Sequence, residues 1–587
     1  MKFLLAPLRE SWILKSSWLS HKSETNLQHN RLLMKSERKV IQDALPRHIF
    51  HVFIFNGHPS GCPFFIMLQL ATIRRLFIGI SMLAFLGGCA SLPPGADYPR
   101  AISAALADPD KTRLGSQFDA AAREHGGNSG FRIIPAGVDG FSMRIEMINA
   151  AQKTLDLQYF IFRGDQTGQL LTDAVLQAAE RGVRVRILID DGETRPGDEQ
   201  IMRLAAYPSV EIRIFNPFAY RGHSEFLRAA EFMFNESRLD YRMHNKLLVV
   251  DNAIALIGGR NIGDQYFQVD PASQFADDDV FAAGPIVPKL SASFDEFWNA
   301  DLSIPIEALA EEKSARIPPK RTEPEKSSPA DYMKRVASGE PFDDMLSGRL
   351  PLTWAHARLV YDSPDKKKVE SGKMAGRLMN RAVANAALEV KHELLMITPF
   401  LIPGKEGMQL IEKLRERKVR VRILTSSLDS STVLLAQAGY MHYRTPLLEN
   451  GVELYEIRSL LGDNRGSGET KAISRYGNYS LHAKMFVFDR KQVFIGSMNF
   501  DQRSMHLNTE IGLIIDSPVL ARQIAARFDA MTQPENAYRL TLDGHKNLMW
   551  RTRENGKDVE YFSEPARSDW QRIEANALSL LPVDDEL

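Results

Sequence analysis

His244-Asn-Lys-Leu-Leu-Val-Val-Asp251 and His482-Ala-Lys-Met-Phe-Val-Phe-Asp489 lie 238 residues apart and share one spacing: His-x-Lys, four residues, then Asp. Six residues separate each Asp from a glycine-rich turn ending in Asn, Gly258-Gly-Arg-Asn261 and Gly496-Ser-Met-Asn499. Two further matches keep the same order. Arg181-Gly-Val-Arg-Val-Arg-Ile-Leu188 recurs as Arg417-Lys-Val-Arg-Val-Arg-Ile-Leu424, and Val210-Glu-Ile-Arg-Ile214 as Val452-Glu-Leu-Tyr-Glu456, at offsets of 236 and 242. Matches at nearly one offset mean duplicated domains, each of about 180–200 residues.

Each half alternates strand and helix signals. Leu155–Phe162 is a short apolar and aromatic run that suits a buried strand. Gln169–Arg181 has helical spacing and stops at Gly182, and Val183–Asp190 follows as a strand with its arginines alternating outward. Strand, helix, strand implies βαβ units and a mainly parallel or mixed sheet covered by helices, so the fold class is α/β.

Side chains two apart on a strand face one side. His244 and Lys246 therefore project together, as do His482 and Lys484, and each turn adds backbone N–H groups and an Asn. One motif alone could be a strand end with a satisfied histidine and a snorkelling lysine. Two copies in a repeated frame argue for chemistry, and no other of the nine histidines after Met67 sits in that frame. Paired halves would bring two imidazoles and two ammonium groups to one cleft. That set suits phosphoryl transfer: cations and amides neutralise phosphate oxygens, one histidine attacks phosphorus, and the other shuttles protons. No metal or cofactor is called for. The triplet Asp277-Asp-Asp279 could suggest Mg²⁺ or Ca²⁺, but three consecutive strand residues cannot all face one ion. Asp190-Asp191 reads as a turn or cap pair rather than as a catalyst.

These motifs resemble the phospholipase D superfamily, whose signature is His-x-Lys-x4-Asp-x6-Gly-Ser-x-Asn. The resemblance covers roughly residues 130–535. It implies two tandem α/β/α sandwich domains related by pseudo-twofold symmetry, with the active site at their interface. The catalytic set it implies is His244, Lys246, Asp251, His482, Lys484 and Asp489, with Asn261, Asn499 and Ser497 on the substrate phosphate. It also implies an acidic residue that orients each opposing histidine. Glu510, in Asn508-Thr-Glu510, matches that pattern, and alignment of the halves places Asp277 opposite it. Two departures stand out: Gly259 where the family has Ser, and Asp277 where it has Glu. By analogy His244 is the nucleophile and His482 the acid/base, although the residues themselves leave the two interchangeable.

Length and composition bound the rest. The 587 residues carry 73 basic and 73 acidic side chains and two cysteines, too few for a disulfide scaffold or a four-cysteine metal site. Residues 76–86, an apolar run behind Arg74-Arg75, are too short to span a bilayer and read as a signal peptide. Leu86-Gly-Gly-Cys89 resembles a bacterial lipobox, which implies lipid on Cys89; Ala90 would direct the lipoprotein to the outer membrane. Translation is then expected to start at Met67, with residues 1–66 a spurious extension. From Cys89 on, 62 basic residues face 69 acidic ones, a net charge of −7. That balance argues against nucleic acid as a partner.

The expected organisation is therefore 1–66 extension, 67–88 signal, 89–127 linker, 128–305 first domain, 306–350 linker, 351–535 second domain and 536–587 C-terminal hairpins and helix. Asp543-Gly544 and Asn555-Gly556 mark the hairpins. Trp570, Ile573, Ala577, Leu580 and Leu581 share one helix face, read mainly as packing on its own domain and alternatively as docking to a membrane. Leu155-Asp-Leu-Gln-Tyr-Phe-Ile-Phe162, Asn216-Pro-Phe218, Arg242-Met-His-Asn-Lys246 and Gly258-Gly-Arg-Asn-Ile-Gly-Asp264 are similar to bacterial cardiolipin synthases of the C type. That implies phosphatidyl transfer onto phosphatidylglycerol, with phosphatidylethanolamine or a second phosphatidylglycerol as donor and a phosphohistidine intermediate. The alternatives are a phospholipase D releasing phosphatidic acid and, less well supported, a nuclease. Both motifs share one chain, so a monomer in the bacterial envelope is expected.

Overall fold

In the Leu-Leu-Val-Val and Met-Phe-Val-Phe runs that follow the two histidine–lysine pairs, no polar face exists. Such runs form strands only where both sheet faces are covered. The computed structural model describes residues 93–192, 204–222, 224–269, 273–309, 336, 340–459 and 478–581. In it Leu247–Val250 and Met485–Phe488 are buried strands at the centres of two sheets. The extension, signal peptide and Cys89 lie outside the described residues.

The first sheet runs Thr353–Ala355, Ser129–Ile134, Asp279–Ala283, Ile254–Gly258, Leu247–Val250, Thr154–Tyr159, Arg184–Asp190, Val210–Phe215, Ser303–Pro305. The second runs Ala357–Tyr361, Ile511–Ile515, Gln492–Gly496, Met485–Phe488, Glu393–Ile397, Arg420–Ser426, Glu453–Ile457, then Ala537–Leu542, Leu548–Glu554 and Lys557–Tyr561. Seven strands correspond one to one in the same spatial order. In each sheet the βαβ strands are parallel and the motif strand joins them antiparallel. The duplication seen as sequence offsets is thus a duplication of topology.

Alternation along each motif strand divides the core. Leu248 and Val250 face the helices Gly137–Ala150 and Gln166–Glu180, while Leu247 and Val249 face a shared layer. That layer also takes Met485, Val487, Ile511 and Leu513 from the second half and the helices Val287–Trp298 and Pro518–Met531. One apolar layer therefore fastens the halves together.

Several expectations change. Arg186 does not point to solvent; it is fully buried, bound to Asp156 (2.7 Å) and Asp295 (2.8 Å) and stacked on Phe294 and Trp298. The cause is the helix Val287–Trp298, which covers the face that looked exposed. The 89–127 stretch is not only linker: helix Arg113–Glu124, capped by Thr112, buries Leu114 and Phe118 in the first core. Much of 306–350 lies outside the described residues, but Val336, Phe342 and Met345 pack against that same core. Both C-terminal hairpins form, with Asn555 and Gly556 at φ 49° and 75° as a two-residue turn requires. Residues 224–236 belong to a separate unit and form the helix Glu225–Phe234, which Ser224 caps. Among the described residues no helix is long and apolar enough to cross a membrane.

Asp279 holds two buried guanidinium groups, Arg144 (2.8 Å) and Arg260 (3.0 Å). Asp279→Ala leaves both charges uncompensated and should cost about 3–5 kcal/mol. Breaking the exposed Arg551–Glu560 pair by Arg551→Ala should cost at most about 1 kcal/mol. Urea unfolding monitored by tryptophan fluorescence compares the two.

Candidate active site

His244 and His482 stand just before their strands, where the chain crosses to the other half. Thr509 N–H donates to Arg242 O (2.9 Å) and His244 N–H to Thr509 O (2.9 Å), a parallel bridge between halves. On the other side Asn478–Leu481 pairs in parallel with Ser273–Ala276, and His482 N–H donates to Ala276 O (2.8 Å). Parallel register then sets each histidine beside the residue that follows its partner strand. His244 Nδ1 meets both Glu510 oxygens at 2.9 and 3.0 Å, and His482 Nδ1 meets Asp277 Oδ2 at 2.5 Å. With Nδ1 engaged, Nε2 is the nitrogen each ring has for attack or proton transfer.

The lysines are fixed by their own strands. Lys246 Nζ donates to His244 O (2.6 Å) and Lys484 Nζ to His482 O (2.5 Å). Aromatic rings wall the imidazoles: Phe160 lies edge-on to His244, and Phe275 and Tyr266 flank His482. Burial followed by the nearby ammonium groups drives both imidazoles down, His482 to about 3 and His244 well below its ordinary value. Each ring feels the lysines of both halves, so the two motifs form one electrostatic centre. Burial also lowers Lys246 well below its usual range and Lys484 to about 8. The carboxylates differ. Burial raises Glu510 to about 7 against the pull of Lys246, whereas His482, Lys484 and Arg260 outweigh burial and hold Asp277 below the ordinary range.

The two departures at Gly259 and Asp277 are one adjustment. A Cβ at Gly259 would collide with the Asp277 carboxylate. In the other half Ser497 Oγ donates to Glu510 (2.5 Å) and accepts from Ile511 N–H (3.0 Å). A longer acid with a serine beneath it in one half is matched by a shorter acid over glycine in the other.

Other expected site residues bind protein groups. Asp251 accepts the N–H groups of Gln152, Lys153 and Thr154, and Asp489 those of Lys391, His392 and Glu393. Both sit at the far ends of their strands from the histidines, so they lock strand starts and are not catalytic groups. Ser497 Oγ is engaged by Glu510. Asn261 is held by Ile161 N–H (3.1 Å) and Tyr266 hydroxyl (3.0 Å), so its amide is committed to protein as well. Asn499 alone of the three keeps a buried Oδ1 with no partner among the described residues. Asp278 pairs with Arg527 (2.9 Å), and Asp279 holds Arg144 and Arg260; with Asp277 on His482, each Asp of the triplet has its own partners. Asp190 accepts Met243 N–H (2.7 Å) and binds Arg242, which fixes the approach to His244, while Asp191 accepts Phe218 N–H (2.7 Å).

Asp362 and Lys366 escaped sequence reasoning. Asp362 Oδ2 accepts Glu510 N–H (3.0 Å) and Lys366 Nζ (2.9 Å), and Lys366 also donates to Ser504 O and Asn508 O. This buried pair clamps the backbone that carries Glu510. The i,i+4 Asp–Lys spacing was the sole signal, and it is common on any helix.

Two topologically equal α/β halves with crossed histidine–carboxylate pairs define a two-motif member of the phospholipase D superfamily. The profile described as "Cardiolipin synthase, PLD-like domain" matches residues 144–298 and 384–532, and the chain belongs to that family. It is similar to Cardiolipin synthase C of Escherichia coli (strain K12), 35% identical over 477 residues, covering 80% of this chain and 99% of that protein. Major cardiolipin synthase ClsA of Bacillus subtilis (strain 168) is 24% identical over 399 residues, 68% of this chain and 67% of that one. The solved phosphatidylserine synthase of Haemophilus influenzae Rd KW20 aligns with 72% of this chain and 92% of its own at 12% identity and a TM-score of 0.46.

Gly259→Ser should lower turnover about tenfold or more by displacing Asp277 from His482. Adding Asp277→Glu should restore part of it, so that the double variant exceeds both singles. Steady-state assays of the four forms read this coupling.

Proposed function

We propose that the chain is a phosphatidyltransferase that makes cardiolipin through a phosphohistidine. The observation that carries this reading is the crossed pairing, which presents two neutral imidazoles and two lysines to one point. Relatives named cardiolipin synthase support the substrate class.

In the proposed first step His244 Nε2 attacks the phosphorus of a donor phospholipid, phosphatidylethanolamine or phosphatidylglycerol. The P–N bond forms as the P–O bond to the headgroup breaks, and His482 gives that alcohol its proton. An imidazole depressed to about 3 is a weak base in the empty site. The phosphate anion counteracts the lysines and raises it toward protonation. In the second step a phosphatidylglycerol hydroxyl enters, His482 takes its proton, and the new P–O bond releases His244. Lys246 and Lys484 carry the charge of the phosphate oxygens in both steps. Glu510 and Asp277 hold the two rings in the tautomer with Nδ1–H toward the carboxylate.

The enzyme is proposed to work at a membrane as a monomer. Lipid attachment at Cys89 and an outer-membrane location belong to the same proposal and concern residues outside the described ones.

His244→Asn should abolish cardiolipin formation, by about 10³-fold or more, in a strain lacking other synthases. Lipid extracts read the product, and phosphatidic acid as the sole product would mean a hydrolase. The pH profile has a definite sign. Glu510 acts ionised, so kcat/KM should fall below about 7, and loss of the depressed Lys246 and Lys484 protons should make it fall again on the alkaline side. Glu510→Gln should remove the acid limb.

A further inference from the structure

The C-terminal helix Asp569–Ser579 turns its apolar face outward. Trp570 is 69% exposed, Ile573 57% and Leu580 85%; Leu581 and nearby Phe562 are exposed too. Ala575 is its one fully buried residue. It packs against the helix Leu434–Met441 and is held beside it by polar contacts. Gln571 Nε2 donates to Leu428 O (2.8 Å), His442 Nε2 meets Ser579 O (2.8 Å), and just ahead of the helix Arg567 donates to Asp429 O and Ser431 O. An ordinary surface helix buries its apolar stripe and exposes its polar one. Here Trp570, Ile573 and Leu580 stay exposed and only Ala575 is buried, which overturns the expectation that this stripe packs on its own domain.

The helix is linked to the candidate site through its anchoring segment. The 428–431 segment that holds the helix follows the strand Arg420–Ser426, and Ser430 O accepts Ser480 Oγ (2.6 Å). Ser480 lies in the strand Asn478–Leu481 that leads directly to His482. Val433, two residues past Ser431, is exposed as well. The helix is therefore anchored on the same segment that supports the strand leading to one of the two histidines.

We propose that this helix is a membrane-docking element that seats the cleft on a phospholipid bilayer. Trp570, Ile573, Leu580 and Leu581 enter the headgroup–acyl boundary, with the helix lying in the plane of the interface. The proposal rests on the reading that the substrates are phospholipids, because a diester held in a bilayer must reach a buried site. A tryptophan at one end of an apolar stripe suits that boundary, where its ring is half wet and half dry. Such helices bind through buried apolar area without spanning.

The test uses the full chain on vesicles of phosphatidylglycerol and phosphatidylethanolamine with bromine on their acyl chains. Fluorescence of the wild type minus that of Trp570→Phe isolates Trp570, so the result reports its depth whatever else attaches the chain. Bromine should quench that difference signal by half or more; an unquenched signal overturns the proposal. Ile573→Gln/Leu580→Gln should lower kcat/KM on vesicles about tenfold and leave turnover of dissolved short-chain phosphatidylglycerol within twofold. An equal fall on both substrates overturns it, as does a change from dimer to monomer on size exclusion, which would mean that a second copy covers the face. Quenching without transferase activity keeps the docking surface and refutes the enzymatic reading; cardiolipin formed with Trp570 unquenched does the reverse.

Discussion

The hydrogen bond from His244 to Glu510 spans the two halves, and so does its counterpart from His482 to Asp277. Each is set by a short parallel backbone bridge, Met243 with Thr509 and Leu481 with Ala276. A histidine motif folded alone would have an unoriented ring and no carboxylate. The shared apolar layer between the sheets, the buried Asp362–Lys366 clamp on Glu510 and the Asp190 contacts at Met243 all serve to keep those bridges in register. Chemistry and domain association are therefore one constraint.

Charge follows from the same geometry. The protein from Cys89 on is mildly acidic, yet its centre concentrates Lys246, Lys484, Arg503 and Lys366 around two acids. Burial makes the ammonium groups poor at holding protons and keeps both imidazoles neutral. An arriving phosphate diester supplies the anion that this centre lacks. The asymmetry between Glu510, raised toward 7, and Asp277, held low, distinguishes two histidines that the motif leaves equivalent.

Much was legible in the chain because duplication is a strong signal. Repeated offsets revealed two α/β halves, and identical spacing in the frame singled out His244, Lys246, His482 and Lys484. Aligning the halves even found Asp277. Other residues misled for physical reasons. Asp251 and Asp489 belong to the motif by spacing, but a strand carries them to its opposite end, where backbone N–H groups bind them. Arg186 looked like an outward residue because nothing local reveals the helix that covers it. Asp362 and Lys366 act on Glu510 across 148 and 144 positions of chain, a separation that leaves no periodic trace.

By itself the sequence determined the strands, their duplication and the residue types that can handle a phosphate, because these depend on local periodicity and on spacing along one strand. Tertiary structure decided which carboxylate meets which histidine, why Gly259 accompanies Asp277, and which face of the last helix meets the surroundings. Each of those depends on distances between segments far apart in the chain. Helix Asp569–Ser579 shows the difference most simply: its stripe could be read from Trp570 to Leu581, but its packing on the helix Leu434–Met441 and its anchoring at Leu428 and His442 turned that stripe outward.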